Sequence, residues 1–230
     1  MITTAVILAG GLGTRLRSVV SDRPKPMADV SGKPFLEYLI DRLVSRGITK
    51  VVICVSYMKE NIISHITAKY GDLVSFSVEE QPLGTGGALS LASSLLPESF
   101  LVLNGDTFLS LDYDSLEAFH KANDADMTIV LTKPSGALIG NVVLGRSNRI
   151  VEFGEVESES ALVNAGVYLM EHKVVDKIER GVPVSLEKQF FPKFVKEANV
   201  YGYVSENNFI DMGTPKSYFY LLENSDILKK

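Results

Sequence analysis

Ala5-Val6-Ile7-Leu8-Ala9-Gly10-Gly11-Leu12-Gly13-Thr14-Arg15-Leu16 is the stretch whose reading decides the fold. An apolar run with strand character ends in three glycines and is followed by a cation. Glycine permits positive φ and close approach of backbone amides to an oxyanion, and the Arg15 guanidinium adds a forked, charge-assisted contact. The segment Leu8, Ala9, Gly10, Gly11, Gly13 and Thr14 therefore reads as a loop for a polyphosphate, as in a nucleotide. Two common phosphate motifs do not fit it. No Gly-Lys-Ser or Gly-Lys-Thr follows, and Leu16 stands where a dinucleotide fingerprint has its third glycine. Taken alone, the glycines could simply reverse the chain.

Outward from this loop, apolar β-rich runs at 5–9, 51–56, 73–78, 100–104 and 127–132 alternate with helical patterns, which predicts an α/β layered fold. Phe35, Leu36, Leu39, Ile40, Leu43 and Val44 recur at helical spacing, and Gly47 follows where a C-terminal cap belongs. Beyond 132 the pattern predicts short strands near 141–144, 149–153 and 163–170 in a mixed sheet. A helix over 186–196, a strand near 200–204 and a last helix from about 215 follow. With 230 residues, 46% apolar and 22% charged, the chain is expected to form one domain, 1–230.

Composition excludes several classes. A formal net charge of −5 without a long basic run argues against a nucleic-acid surface. No window reaches the roughly 18 apolar residues of a membrane span, and the start lacks a signal peptide's basic n-region. Cys54 stands alone in an apolar run and reads as a buried thiol, which fits the cytoplasm. His65, His120 and His172 have no zinc-ligand spacing.

About ten residues past the glycine loop comes Asp22-Arg23-Pro24-Lys25-Pro26-Met27, in which a lysine is held between two prolines. Proline fixes its own φ and restricts the residue before it, so Lys25 is expected on a stiff loop that aims its ammonium at the phosphates. Together the two segments resemble the signature of the sugar-1-phosphate nucleotidylyltransferase family. The likeness runs in family order to Asp211-Met212-Gly213-Thr214-Pro215.

The resemblance implies a Rossmann-like nucleotidyltransferase fold with a mixed, mainly parallel central sheet. Its nucleotide-binding part would span about 1–110 and its sugar-binding part about 111–230. Gln81-Pro82-Leu83-Gly84-Thr85-Gly86-Gly87-Ala88 looks like the family's second nucleotide segment, with Gln81, Gly86 and Gly87 on the base. Leu103-Asn104-Gly105-Asp106-Thr107 ends a predicted strand in an acid, where open α/β sheets place ligands. The family parallel gives Asp106 and Asp211 to Mg²⁺, and Asn104, Gly105, Glu155 and Asn164 to the sugar. Phe153-Gly154-Glu155-Val156 departs from the family pattern, because Val156 replaces its lysine. Lys133, Lys193 and Lys216 are the candidate substitutes. The absence of a C-terminal β-helix predicts a minimal catalytic unit, and a homo-oligomer is left open.

Within the family, Arg17 to Met27 is most similar to members that transfer a guanylyl group from GTP to D-glycero-D-manno-heptose 1-phosphate. Uridylyl, thymidylyl or mannose-1-phosphate guanylyl transfer remain alternatives. The implied chemistry is in-line attack by a sugar-phosphate oxygen on the α-phosphate, with Arg15, Lys25 and Asp106 as catalytic residues and pyrophosphate leaving. Two rivals stand beside it. Asp112-Tyr113-Asp114 suggests a glycosyltransferase metal motif, although it also reads as a helix start. The other rival is a non-catalytic sensor of nucleotide sugars.

Overall fold

The computed structural model describes residues 1–134, 141–154, 158 and 160–229. In chain order its strands are β1 (Thr4–Leu8), β2 (Asp29–Val30), β3 (Lys33–Pro34), β4 (Lys50–Val55), β5 (Val74–Val78), β6 (Ser99–Asn104), β7 (Thr107–Leu109), β8 (Met127–Thr132), β9 (Val142–Leu144), β10 (Ile150–Phe153), β11 (Val163–Glu171), β12 (Val200–Val204) and β13 (Phe209–Asp211). The α-helices are α1 (Phe35–Ser45), α2 (Lys59–Tyr70), α3 (Gly84–Leu91), α4 (Tyr113–Ala122), α5 (His172–Val175), α6 (Phe191–Glu197) and α7 (Pro215–Glu223).

Seven strands form the central sheet in the order β12-β8-β11-β6-β1-β4-β5. β1 pairs in parallel with β4 and β6, β4 with β5, and β12 with β8, while β11 runs antiparallel to β6 and β8. The sheet is thus mixed and mainly parallel, and residues of both halves of the chain build it. The continuous apolar runs follow from burial on both faces. On one face Ala5, Ile7, Val51, Ile53, Leu101 and Leu103 pack with α1, α2 and α7 through Phe35, Leu39, Ile62 and Leu221. On the other, Val6, Val52, Cys54 and Val102 meet α3, α5 and α6 through Leu89, Val174, Phe191 and Phe194. No described helix is long and apolar enough to cross a membrane.

Two expectations need correction. The strands near 141–144 and 149–153 pair with each other as an antiparallel ribbon, β9 with β10, outside the central sheet. The helix expected over 186–196 is two pieces, a wide π-turn at Leu186–Phe190 and then α6. Pro192 supplies the reason, since it has no N–H for an i−4 bond and fits only in a helix's first turn. Asp211 ends a strand outside the central sheet. It closes β13, which pairs with β7 in a two-stranded ribbon laid across the sheet's carboxyl end.

The central strands meet closely where that ribbon begins. The Gly105 amide donates to the Leu8 carbonyl at 3.0 Å. A Cβ at Gly105 would stand 2.7 Å from that oxygen and 3.3 Å from the Ala9 Cα, both backbone atoms that cannot swing aside. Gly105→Ala is predicted to destabilise the protein by about 1–3 kcal/mol, as for overpacking at a rigid site. Urea denaturation checks this, and an unchanged midpoint would contradict the contact.

Candidate active site

The glycine loop leaves β1 at Leu8, and Gly13 turns it through a left-handed conformation with φ 59°. A Cβ on Gly13 would lie 3.0 Å from the Lys25 Cβ, so the glycine also makes room for the lysine stem. Short 3₁₀ turns follow at Thr14–Leu16 and Lys25–Met27, anchored by buried Leu16, Pro26 and Met27. Among the described residues, the amides of Gly10, Gly11, Leu12 and Gly13 donate to no protein acceptor. Such a row of free donors suits an anion.

Lys25 extends from its buried turn to Asp106, with Nζ 2.5 Å from Oδ2, and its side chain is only 10% exposed. Asp106 occupies the turn between β6 and β7. Its carbonyl accepts from the Met212 amide at 2.8 Å, which brings the end of β13 against it. Asp211 Oδ1 accepts from the Gly213 amide at 2.6 Å. A Cβ on Gly213 would stand 3.3 Å from an Arg15 guanidinium nitrogen, so Arg15 reaches the same place. Burial holds the Asp211 carboxyl above its ordinary range, the Asp106 charge adds to this, and Lys25, the Gly213 amide and Arg15 oppose it. Two acids and two cations, distant in sequence, thus converge.

A cleft of about 430 Å³ joins these groups to the loop. Leu8, Ala9, Gly10, Gly11, Gly13, Thr14, Arg15, Lys25, Asn104, Gly105 and Asp106 line it, and so does Gly213 beside Asp211. The second nucleotide segment contributes differently from expectation. Pro82, Gly84, Thr85 and Ala88 line the wall, whereas Gln81 is exposed and outside it. Gly86 and Gly87 turn away, their amides donating to the Val184 carbonyl at 2.8 and 3.3 Å. A Cβ at either glycine would crowd 182–184, so close packing by itself accounts for glycine there.

The residues expected at the sugar are partly brought together. Asn104 Oδ1 and Thr107 Oγ1 are buried without a hydrogen-bond partner among the described residues, and Asn104 lines the cleft. Gly166, with φ 69°, packs on both side chains. Asn164 is engaged at each end, Nδ2 donating to the Tyr168 hydroxyl at 2.8 Å and Oδ1 accepting from the Gly166 amide at 3.0 Å. Glu155 and Val156 lie outside the described residues. Of the three substitute cations, Lys133 pairs with Glu206 at 2.8 Å and Lys193 lines a separate cleft with Lys173 and Lys177. Lys216 is exposed on the first turn of α7.

Other readings are settled by local contacts. Asp112 caps α4, accepting from the Asp114 and Ser115 amides at 3.1 and 3.3 Å, so Asp112-Tyr113-Asp114 is a helix start. Cys54 is buried, and burial raises its thiol pKa. One lining residue escaped the sequence reading, Glu79, a buried carboxylate just beyond β5.

A mainly parallel sheet with free loop amides, two cations and two acids gathered at its carboxyl end defines an α/β protein and presents there a surface suited to phosphorylated ligands. The chain belongs to the nucleotidyl transferase family, whose model matches residues 4–226. It is 36% identical over 217 residues to the D-glycero-alpha-D-manno-heptose 1-phosphate guanylyltransferase of Aneurinibacillus thermoaerophilus, covering 93% of this chain and 94% of that one. It is also 36% identical over 225 residues to the mannose-1-phosphate guanyltransferase of Schizosaccharomyces pombe. There the match covers 93% of this chain, which spans only 62% of the yeast protein's length. Among solved structures, HddC from Yersinia pseudotuberculosis superposes with a TM-score of 0.85 at 33% identity, over 97% of this chain and 100% of that one. The same agreement holds for HddC complexed with GMP-PN.

Asp211 yields a prediction about stability. A carboxyl whose pKa is raised in the folded state binds its proton more tightly there than when unfolded. Its contribution is therefore full below the ordinary value of 3.8 and is lost as pH rises through the higher folded value. At neutral pH the buried charge is a net cost. Asp211→Asn keeps an acceptor for the Gly213 amide and removes that charge. In chelator at pH 7 to 8 its thermal midpoint is expected above the wild type's, with the gap closing toward pH 4. A lower midpoint at neutral pH would contradict the assignment.

Proposed function

We propose that this protein transfers a guanylyl group from GTP to a sugar 1-phosphate, D-glycero-D-manno-heptose 1-phosphate, releasing pyrophosphate and a GDP-sugar. The carrying observation is the convergence of Arg15, Lys25, Asp106 and Asp211 beside a cleft walled by free glycine-loop amides. Guanylyl transfer is supported by the named activities of the two relatives, and the heptose by likeness to the bacterial one over nearly its full length. We take 1–230 as one catalytic domain, since a single sheet draws on both halves. The substrates are metabolites of the cytoplasm, where we place the reaction.

In this reading an oxygen of the sugar phosphate attacks the α-phosphorus in line. A new O–P bond forms as the bond to the β-phosphate oxygen breaks, and pyrophosphate carries away the electron pair. The nucleophile is already an anion, so the protein's part is alignment and charge neutralisation. Loop amides hold the phosphates, Arg15 reaches across them, and Lys25 exchanges its Asp106 partner for a phosphate oxygen. Asn104, with its unpartnered Oδ1, and the neighbouring Gly105 face the acceptor sugar. Asn164 joins them once released from Tyr168, and Glu155 is the remaining sugar ligand.

The acid pair fits a hard divalent cation. Asp106 raises the Asp211 carboxyl, so a positive charge between them relieves both burial and repulsion. Among the described residues no third His, Cys, Asp or Glu completes a protein cage, which suits Mg²⁺, an ion that keeps waters and shares substrate phosphates. Asp106 and Asp211 would hold it, and when bound it would supply charge neutralisation at the phosphate oxygens.

The test is pyrophosphate release from four nucleoside triphosphates against a panel of sugar 1-phosphates. GTP with the heptose phosphate is expected to be fastest. Silence in every combination would favour a nucleotide-sugar sensor, and a faster uridine or thymidine nucleotide would overturn guanylyl transfer alone. Lys25→Ala and Arg15→Ala should each lower turnover by about a hundredfold, on the order of 3 kcal/mol, as for loss of one preorganised donor. Near-normal turnover in either would remove its assigned role.

A further inference from the structure

The glycine loop is thinly anchored. Among the described residues between Ala9 and Val20, Leu16 alone is buried. The free amides of 10–13 add no bonds of their own, so little within the loop fixes the cradle that phosphates would enter.

The segment that follows β4 supplies contacts at both limbs of the loop. At the entry, the Ala9 amide donates to the Cys54 carbonyl at 2.9 Å, and a Cβ on Gly10 would lie 3.2 Å from the Ser56 Cβ. At the exit, just past the 3₁₀ turn at Thr14–Leu16, the Arg17 guanidinium lies over the Tyr57 ring, 4.9 Å from its centroid. Ser56 and Tyr57 are consecutive, so one short stretch of backbone brackets the loop. Met58 then turns the chain into α2 with φ 53°, a left-handed conformation that a side chain adopts only where its surroundings hold it.

Arg17 has no other contact that accounts for its charge. It is exposed and stands outside the cleft, and among the described residues its guanidinium makes no hydrogen bond or ion pair. A guanidinium is weakly hydrated, planar and attracted to the negative face of an aromatic ring, which suits it to Tyr57. Tyr57 does not line the cleft either.

We infer that Tyr57 is a positioning residue for the phosphate loop, forming with Arg17 a clasp that holds the loop's exit limb against the end of β4. This rests on the reading of the loop as a phosphate cradle. Ordering a loop at the moment of binding costs affinity, and a contact that orders it beforehand recovers that affinity without touching the ligand. The clasp therefore acts on every polyphosphate ligand alike, whatever its base.

Equilibrium binding of GTP, UTP and inorganic tripolyphosphate, measured with Mg²⁺ and without acceptor sugar, tests this. Tyr57→Leu keeps an apolar side chain and removes the aromatic face. Its dissociation constants for all three should rise by one common factor of about three, the size of a single exposed cation–π contact. Tyr57→Phe keeps the face and should bind as the wild type does. Arg17→Gln should match Tyr57→Leu, and the double variant should be no weaker than either single one. Unchanged binding in Tyr57→Leu, a Phe variant as weak as the Leu variant, or losses that multiply in the double variant would overturn the inference. So would a loss confined to the two nucleotides, which would put Tyr57 on the nucleoside. Wild-type protein that fails to bind tripolyphosphate would overturn the cradle reading and the clasp with it. Absence of pyrophosphate release with these binding effects intact would instead overturn catalysis and leave the clasp standing.

Discussion

The hydrogen bond from the Gly105 amide to the Leu8 carbonyl holds the site together. It ties the end of β6 to the end of β1 just where the glycine loop begins and just before Asp106. Only glycine tolerates the approach, because the space for a Cβ is filled by backbone. From that junction the rest follows in short steps. The Asp106 carbonyl receives the Met212 amide, which seats β13 and its terminal Asp211. Gly13 admits the Lys25 stem, and the prolines on either side fix the lysine's direction. A few ångströms at the carboxyl end of two parallel strands thus place the groups to which we assign the phosphate chemistry.

The charges gathered there do not neutralise one another equally. Lys25 and Asp106 form a close pair, while Asp211 remains a carboxylate whose burial outweighs the help of nearby cations. Glu79, on the cleft wall against Gly10, is likewise buried, and burial raises its carboxyl. Conflict between stability and local charge, confined to a binding cleft, is the expected mark of a functional site.

Much of this was legible in the sequence because the signals are local. The apolar runs that became β1, β4, β6 and β8 are buried on both faces, and such runs announce themselves. Gly10 to Arg15 and Pro24 to Pro26 carry their backbone constraints in residue type. What escaped depends on contacts distant in sequence. Nothing near 141–153 states that β9 and β10 leave the sheet for each other. Nothing near Gly86 and Gly87 states that 182–184 packs against them. Glu79 sits in a Glu-Glu-Gln run of which it alone is buried, closed against Gly10 nearly seventy residues earlier in sequence. A polar residue at the end of a buried strand and opposite a glycine was the available signal.

The stereochemical course at the α-phosphorus tests the account most directly. Among the described cleft residues Lys25 is the one amine, and an amine can also act as a covalent nucleophile. If the side chains only align and neutralise, GTP bearing sulfur in one configuration on the α-phosphorus must give a GDP-sugar with that centre inverted. Retained configuration would mean two successive displacements through a guanylyl-enzyme, and would contradict a purely aligning and neutralising role for Lys25 and the charges around it.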